Sequence, residues 1–145
     1  MKTGPAGQSL IQSFESCRLE AYQDTSGIWT IGWGHTAGVQ QGDTCTQEQA
    51  DDWFRADLEE HELQVEGAVK VALNQFQFDA LVSFVYNEGI GHFEHSTLLS
   101  LLNRSLYAMA ACQFDLWVYD AGRKQNGLIR RRAAERKLFE TPMAV

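Results

Sequence analysis

The sequence predicts an α+β fold that is mainly helical, with a small N-terminal β-hairpin lobe and a larger C-terminal helical lobe around one cleft. Three observations predict it. Apolar residues recur at helical spacing through most of the chain. The period switches to two only around Trp29, Ile31 and Trp33, behind a Thr25-Ser26-Gly27 turn. At 145 residues with 44% hydrophobic content, the chain fits a single domain, 1–145, with ample material for a core.

The elements follow in order. Leu10, Ile11 and Phe14 predict a short amphipathic helix over 7–19. Residues 20–45 form the hairpin lobe, with Gly27 free to take positive φ in its turn. Thr30 shares a strand face with Gly32 and Gly34, where two missing side chains leave room for a ligand. Trp29, Ile31 and Trp33 face the packing side. Thr46 followed by Gln49 is a capping box and opens a connecting helix over 46–66. Its apolar stripe runs through Ala50, Trp53, Phe54, Leu58, His61 and Val65. Asn74 caps a helix that is apolar nearly all round at Phe76, Ala80, Leu81, Phe84 and Val85, and so buried in the 67–145 lobe. Gly89-Ile90-Gly91 ends it. Ser96 or Thr97 starts another helix through Leu102. Residues 106–117 form a further helix with Met109, Cys112 and Leu116 inward. Asp120-Ala121-Gly122 breaks the chain, and a last helix spans 126–140.

The net charge of -7 is unevenly spread. Residues 1–103 carry -11, with acids crowded into 48–66, which read as the wet face of a helix. Residues 104–145 carry +4, including Arg123, Lys124 and Arg130-Arg131-Arg132. The acidic pI near 5.0 speaks against a nucleic-acid partner. Mean hydropathy is -0.30, no apolar run approaches a membrane span, and the first residues lack the apolar core of a signal peptide. Cys17, Cys45 and Cys112 are odd in number and lack C-x-x-C spacing, so they argue for free thiols in a reducing compartment, with Cys17 buried.

Glu15, Asp24 and Thr30 stand as E-x8-D-x5-T. An acid, a second carboxylate and a hydroxyl are what cutting a glycosidic bond with water requires. Taken alone, such a trio marks solvated turn residues far more often than a site. Glycoside cleavage also needs a carboxyl that keeps its proton near neutral pH, which desolvation or a nearby negative charge supplies. Phe14 and the hairpin aromatics offer apolar cover, while Arg18 would oppose it.

The surrounding residues sharpen the reading. AYQDTSGIWTIGWGH resembles the signature of the phage-type lysozymes, the endolysins of glycoside hydrolase family 24. LNQFQFDALVSFVYNEGIGHF at 73–93 is similar to that family's central helix and following turn. NGLIRRRAAERKLF at 126–139 is similar to its C-terminal helix. The resemblance runs from about Leu10 to Phe139 and implies a lysozyme-like fold. It also implies hydrolysis of the β-1,4 bond between N-acetylmuramic acid and N-acetylglucosamine in bacterial peptidoglycan. By the resemblance Glu15 donates the proton, and Asp24 with Thr30 positions the attacking water. Inversion follows, with the two carboxyl groups roughly 6.5–9.5 Å apart. Phe93 and Arg130 would touch the sugar groove beside Gly32 and Gly34, although relatives carry Asn at the position of Arg130. Asn87, Gly89 and Gly91 would shape the turn at the cleft edge. His35 would bind a carboxylate and fix the hairpin to a helix. No metal or other cofactor is implied, because His35, His92 and His95 lack zinc-site spacing. Relatives of this size act as monomers. Without an export signal, such a chain accumulates in the host cytoplasm until a separate holin-type pore protein releases it to the periplasm and wall. A glycan-binding module without activity and a lytic transglycosylase are the alternatives.

Overall fold

The computed structural model describes residues 1–144. Helix α1 spans Pro5–Glu15, with proline in its first turn, where a missing N–H costs nothing. It stops earlier than the periodicity predicts. Ser16 takes φ 55, and its N–H returns to the Gln12 carbonyl, which ends the helix within one residue of Glu15. The chain enters strand β1 at once, Arg18–Gln23, and pairs antiparallel with β2, Trp29–Gly32. Tyr22 lies opposite Thr30, and a register shift separates that pair from Arg18 opposite Gly32. A bridge between Glu20 and Thr44 adds the returning loop to the edge of the hairpin.

Helix α2, Gln47–Ala68, begins at the expected Thr46–Gln49 capping box. Ala50, Phe54, Leu58 and Val65 are buried along it. One acid of its supposedly wet face is not wet. Glu62 is buried and accepts the N–H of Thr3 at 2.6 Å and the Thr3 hydroxyl at 2.7 Å. Helix α3, Gln75–Glu88, has the second capping box, Asn74 with Gln77. Every residue from Phe78 to Val85 is buried, and α3 packs against α1, α2 and the last helix.

Short helices α4 (Ile90–Glu94), α5 (Thr97–Asn103) and α6 (Tyr107–Gln113) follow, and one 3-10 turn, Phe114–Leu116, continues α6. The inward residues of this stretch are Ala110, Ala111 and Phe114; Met109, Cys112 and Leu116 are exposed, against expectation. The difference is one of phase. Small alanines let α6 approach its neighbours closely, and the larger Met109 and Leu116 turn out to solvent. The Asp120-Ala121-Gly122 break is the turn of a second small hairpin, β3 (Tyr119–Asp120) with β4 (Arg123–Lys124). Helix α7, Asn126–Glu140, closes the fold. Among the described residues no helix is long and apolar enough to cross a membrane. Cys17 and Cys45 are half-buried and Cys112 is exposed, so Cys17 is not the fully buried thiol expected.

Candidate active site

The hairpin turn is built around Asp24. Its Oδ1 accepts the N–H groups of Ser26 at 2.8 Å and Ile28 at 2.9 Å, the local bonding that favours aspartate at a turn. Its backbone N–H donates to the Ile28 carbonyl at 2.9 Å. Among the described residues Oδ2 has no protein partner, so one oxygen fixes the turn and the other stays free on a residue that lines the cleft. Thr30 donates its hydroxyl to the Ile28 carbonyl at 2.9 Å. Its donor is therefore occupied, and it presents lone pairs to anything in the cleft.

Glu15 reaches the same space from the last turn of α1. Its side chain is 17% exposed, and Oε2 accepts Arg131 Nη1 of α7 at 2.8 Å. Burial works against the charge of Arg131, but Glu15 and Glu135 outweigh it and hold the guanidinium above the ordinary arginine range. Arg18, the cation expected to oppose the acid, instead lies over the Tyr22 ring at 4.1 Å. Gly34, with φ +84, brings its backbone against Glu15: a Cβ there would lie 2.8 Å from Oε1. Tyr86 donates its hydroxyl to the Trp33 carbonyl at 2.6 Å and ties α3 to the hairpin. Burial, with Asp57 and Glu15 nearby, raises its pKa far above the usual tyrosine value. Burial also raises Tyr22, helped by Glu15 and opposed by Arg18. Both phenols are neutral at physiological pH.

Tyr22 and Tyr86 line a cleft of about 560 Å³ between the hairpin and the helices α2 and α3, and Arg131 lies behind Glu15, outside the lining. Glu15, Asp24 and Thr30 all line it, and so do Gly34, Asn87 and Gly89. His35 is not itself in the lining but sits between Gly34 and Thr36, which are, with Nδ1 2.9 Å from Asp57 Oδ2 of α2 and its ring stacked on Trp53 at 4.7 Å. Four other candidates lie elsewhere. Gly32 is buried with φ +64 and faces α2, where an added Cβ would meet Ala50 Cβ at 3.2 Å. The alternation that placed it beside Thr30 is broken by that positive φ. Phe93 is fully buried against Phe84 and belongs to the core. Gly91 is exposed in α4. Arg130 is exposed on α7, and its neighbour Arg131 points inward instead.

Sequence reasoning missed Arg131, Tyr22, Tyr86, Asp57, Glu60, His61 and Glu88. Arg131 had a readable signal. Arg131, Glu135 and Phe139 recur every four residues, and an apolar Phe139 on that stripe marks it as the inward face. Tyr22 also had one, near the end of the strand that leads into the Asp24 turn and two positions before Asp24.

A family model described as phage lysozyme matches residues 12–135. The endolysin of Bacillus phage PZA is 42% identical over 144 residues, which is 97% of this chain and 56% of that protein. The chain thus spans about half the length of that relative. The endolysin of Acyrthosiphon pisum secondary endosymbiont phage 1 is 41% identical, covering 97% of this chain and 99% of that protein. Among solved structures, the muramidase domain of SpmX from Asticaccaulis excentricus superposes with a TM-score of 0.88 at 42% identity, over 97% of this chain and 99% of that one.

Proposed function

The chain belongs to the phage lysozyme family, and from that premise we propose that it is an endolysin with muramidase activity. It hydrolyses the β-1,4 bond between N-acetylmuramic acid and N-acetylglucosamine of bacterial peptidoglycan for host lysis. The observation that carries this reading is the meeting of Glu15, Asp24 and Thr30 on one cleft.

Glu15 protonates the glycosidic oxygen, and Arg131 holds its carboxyl in place. The unpartnered Oδ2 of Asp24 accepts a proton of the attacking water. The Thr30 hydroxyl oxygen, its own proton engaged, accepts a hydrogen bond from the water's other hydrogen, which stays on the product hydroxyl, and so fixes the direction of attack. Water then attacks from the face opposite the leaving group, and the product inverts. The enzyme acts as a monomer, waits in the host cytoplasm and reaches the wall when a separate pore-forming protein opens the membrane.

The test is the clearing of outer-membrane-permeabilised Gram-negative cells, followed by mass spectrometry of the released muropeptides. Wild type clears the suspension and releases fragments with a reducing-end muramic acid, and Glu15→Gln loses at least about a hundredfold in rate. An anhydro end in place of the reducing end makes the enzyme a transglycosylase. Unchanged turbidity with wild type makes it a binding module.

A further inference from the structure

Arg131, the partner of the proton donor, is shared between two carboxylates. Its Nη1 donates to Glu15 Oε2 at 2.8 Å and its Nε to Glu135 Oε2 at 3.2 Å. Its Nη2 donates to the Ser83 carbonyl at 3.1 Å. Glu135 is fully buried and also accepts the Ser83 hydroxyl at 2.6 Å. Its other oxygen, Oε1, accepts Arg132 Nη1. Arg132, likewise fully buried, continues to Glu88 Oε1 at 2.9 Å and to Asn87 Oδ1. Asn87 and Glu88 line the cleft. Charges of alternating sign therefore run beneath the cleft, from the proton donor at one end to the rim at the other.

Two buried arginines and a buried glutamate are costly to desolvate, and apolar residues of similar volume would hold α7 to α3 as well. The arrangement does something that apolar packing cannot: it divides the charge of one guanidinium. We propose that Glu135 is a positioning residue for the proton donor, competing with Glu15 for Arg131 and fixing Asn87 and Glu88 through Arg132. The proposal rests on Glu15 being the acid of the reaction.

The groups facing Glu15 are few enough to isolate the effect. Arg131 comes from α7, Tyr86 from α3, and Tyr22 and Arg18 from β1, with Asp24 beyond Tyr22 and Asp57 of α2 beyond Tyr86. His61 and Glu60 of α2 line the same cleft. Among the described residues, Arg131 alone of these is a cation bonded to the Glu15 carboxyl. Facing Glu135 are Arg131, Arg132 and Ser83.

Glu135→Gln removes the competitor, so the whole charge of Arg131 falls on Glu15 and favours its ionised form. The alkaline limb of the pH–activity profile then moves to lower pH. A charge one step removed acts more weakly than one in direct contact but with the same sign, so the direction of the movement is the readout. Glu135→Asp, which keeps the charge, restores the limb. Arg132→Gln does the reverse: Glu135 then leans on Arg131 alone, the limb moves to higher pH, and KM rises as Asn87 and Glu88 lose their anchor. The limb is read from kcat/KM on soluble glycan strands, and in parallel from a carbon-13 NMR titration of the Glu15 carboxyl, on variants shown to be folded by circular dichroism.

A folded Glu135→Gln whose limb overlays that of wild type overturns the proposal, and so do two variants that shift the same way. Should Glu135→Gln fail to fold, Arg132→Gln decides by its sign. An inactive wild type defeats the assignment of Glu15 instead, and the NMR titration still reports the competition.

Discussion

A methyl group added at Gly34 would lie 2.8 Å from Glu15 Oε1 and would be carried by a residue at φ +84. Gly34→Ala therefore displaces the acid from Arg131 and strains the backbone by about 1–2 kcal/mol. The expected outcome is a loss of more than about tenfold in lytic rate, from a misplacement of the order of 1 Å, with the fold retained in circular dichroism. Thr30→Val keeps the shape but removes the acceptor offered to water, and kcat falls while KM holds. That Glu15, Asp24 and Thr30 meet on one cleft was legible through the motif around them, since the three residue types alone mark solvated turn residues more often than a site. Arg130 was named for the groove and Arg131 was passed over, because neighbouring helical residues point about 100° apart and only the phase of α7, carried by Glu135 and Phe139, shows which one turns inward. Phe93 shows the converse error: its place after the turn matched, but its side chain went to the core.

Two helices owe their starting points to reciprocal side-chain bonds. Thr46 accepts the N–H of Gln49 at 3.1 Å while Gln49 returns to the N–H of Thr46 at 2.9 Å, and Asn74 with Gln77 repeats the pattern. Thr46→Ala and Asn74→Ala each cost about 1 kcal/mol, seen as a lower midpoint in urea with an unchanged slope. Both caps were legible because their donors and acceptors are only three residues apart. The end of α1 was not, since it depends on Ser16 holding φ 55, a conformation the sequence does not announce. The β3–β4 hairpin was missed for its length: two residues a side carry no alternation to read. The inward face of α6 was misread because alanine weighs little in a hydrophobic pattern, although its small size is what permits close packing.

At the scale of the molecule, Tyr86 links stability to alkalinity. Its folded pKa is raised by burial, so the folded protein keeps the phenolic proton while the unfolded chain releases it near the ordinary value of about 10. The unfolded state then binds fewer protons, and stability falls as pH rises above that value. Below it the neutral phenol is common to both states and the contribution is complete. Tyr86→Phe should flatten this alkaline loss, measured as thermal midpoint against pH from 9 to about 11, while losing about 1 kcal/mol for the bond to Trp33.

One contact joins the two hairpins over 95 positions of sequence: the Thr25 hydroxyl donates to Asp120 Oδ2, one residue past Asp24. The clasp therefore props the turn that carries Asp24 and lines the cleft. Asp120→Ala loosens that turn and lowers the lytic rate by about two- to fivefold, the worth of one exposed bond, with the fold retained in circular dichroism. An unchanged rate would mean that the turn keeps its shape through its own bonds to Asp24 Oδ1 and that the second hairpin lends it nothing.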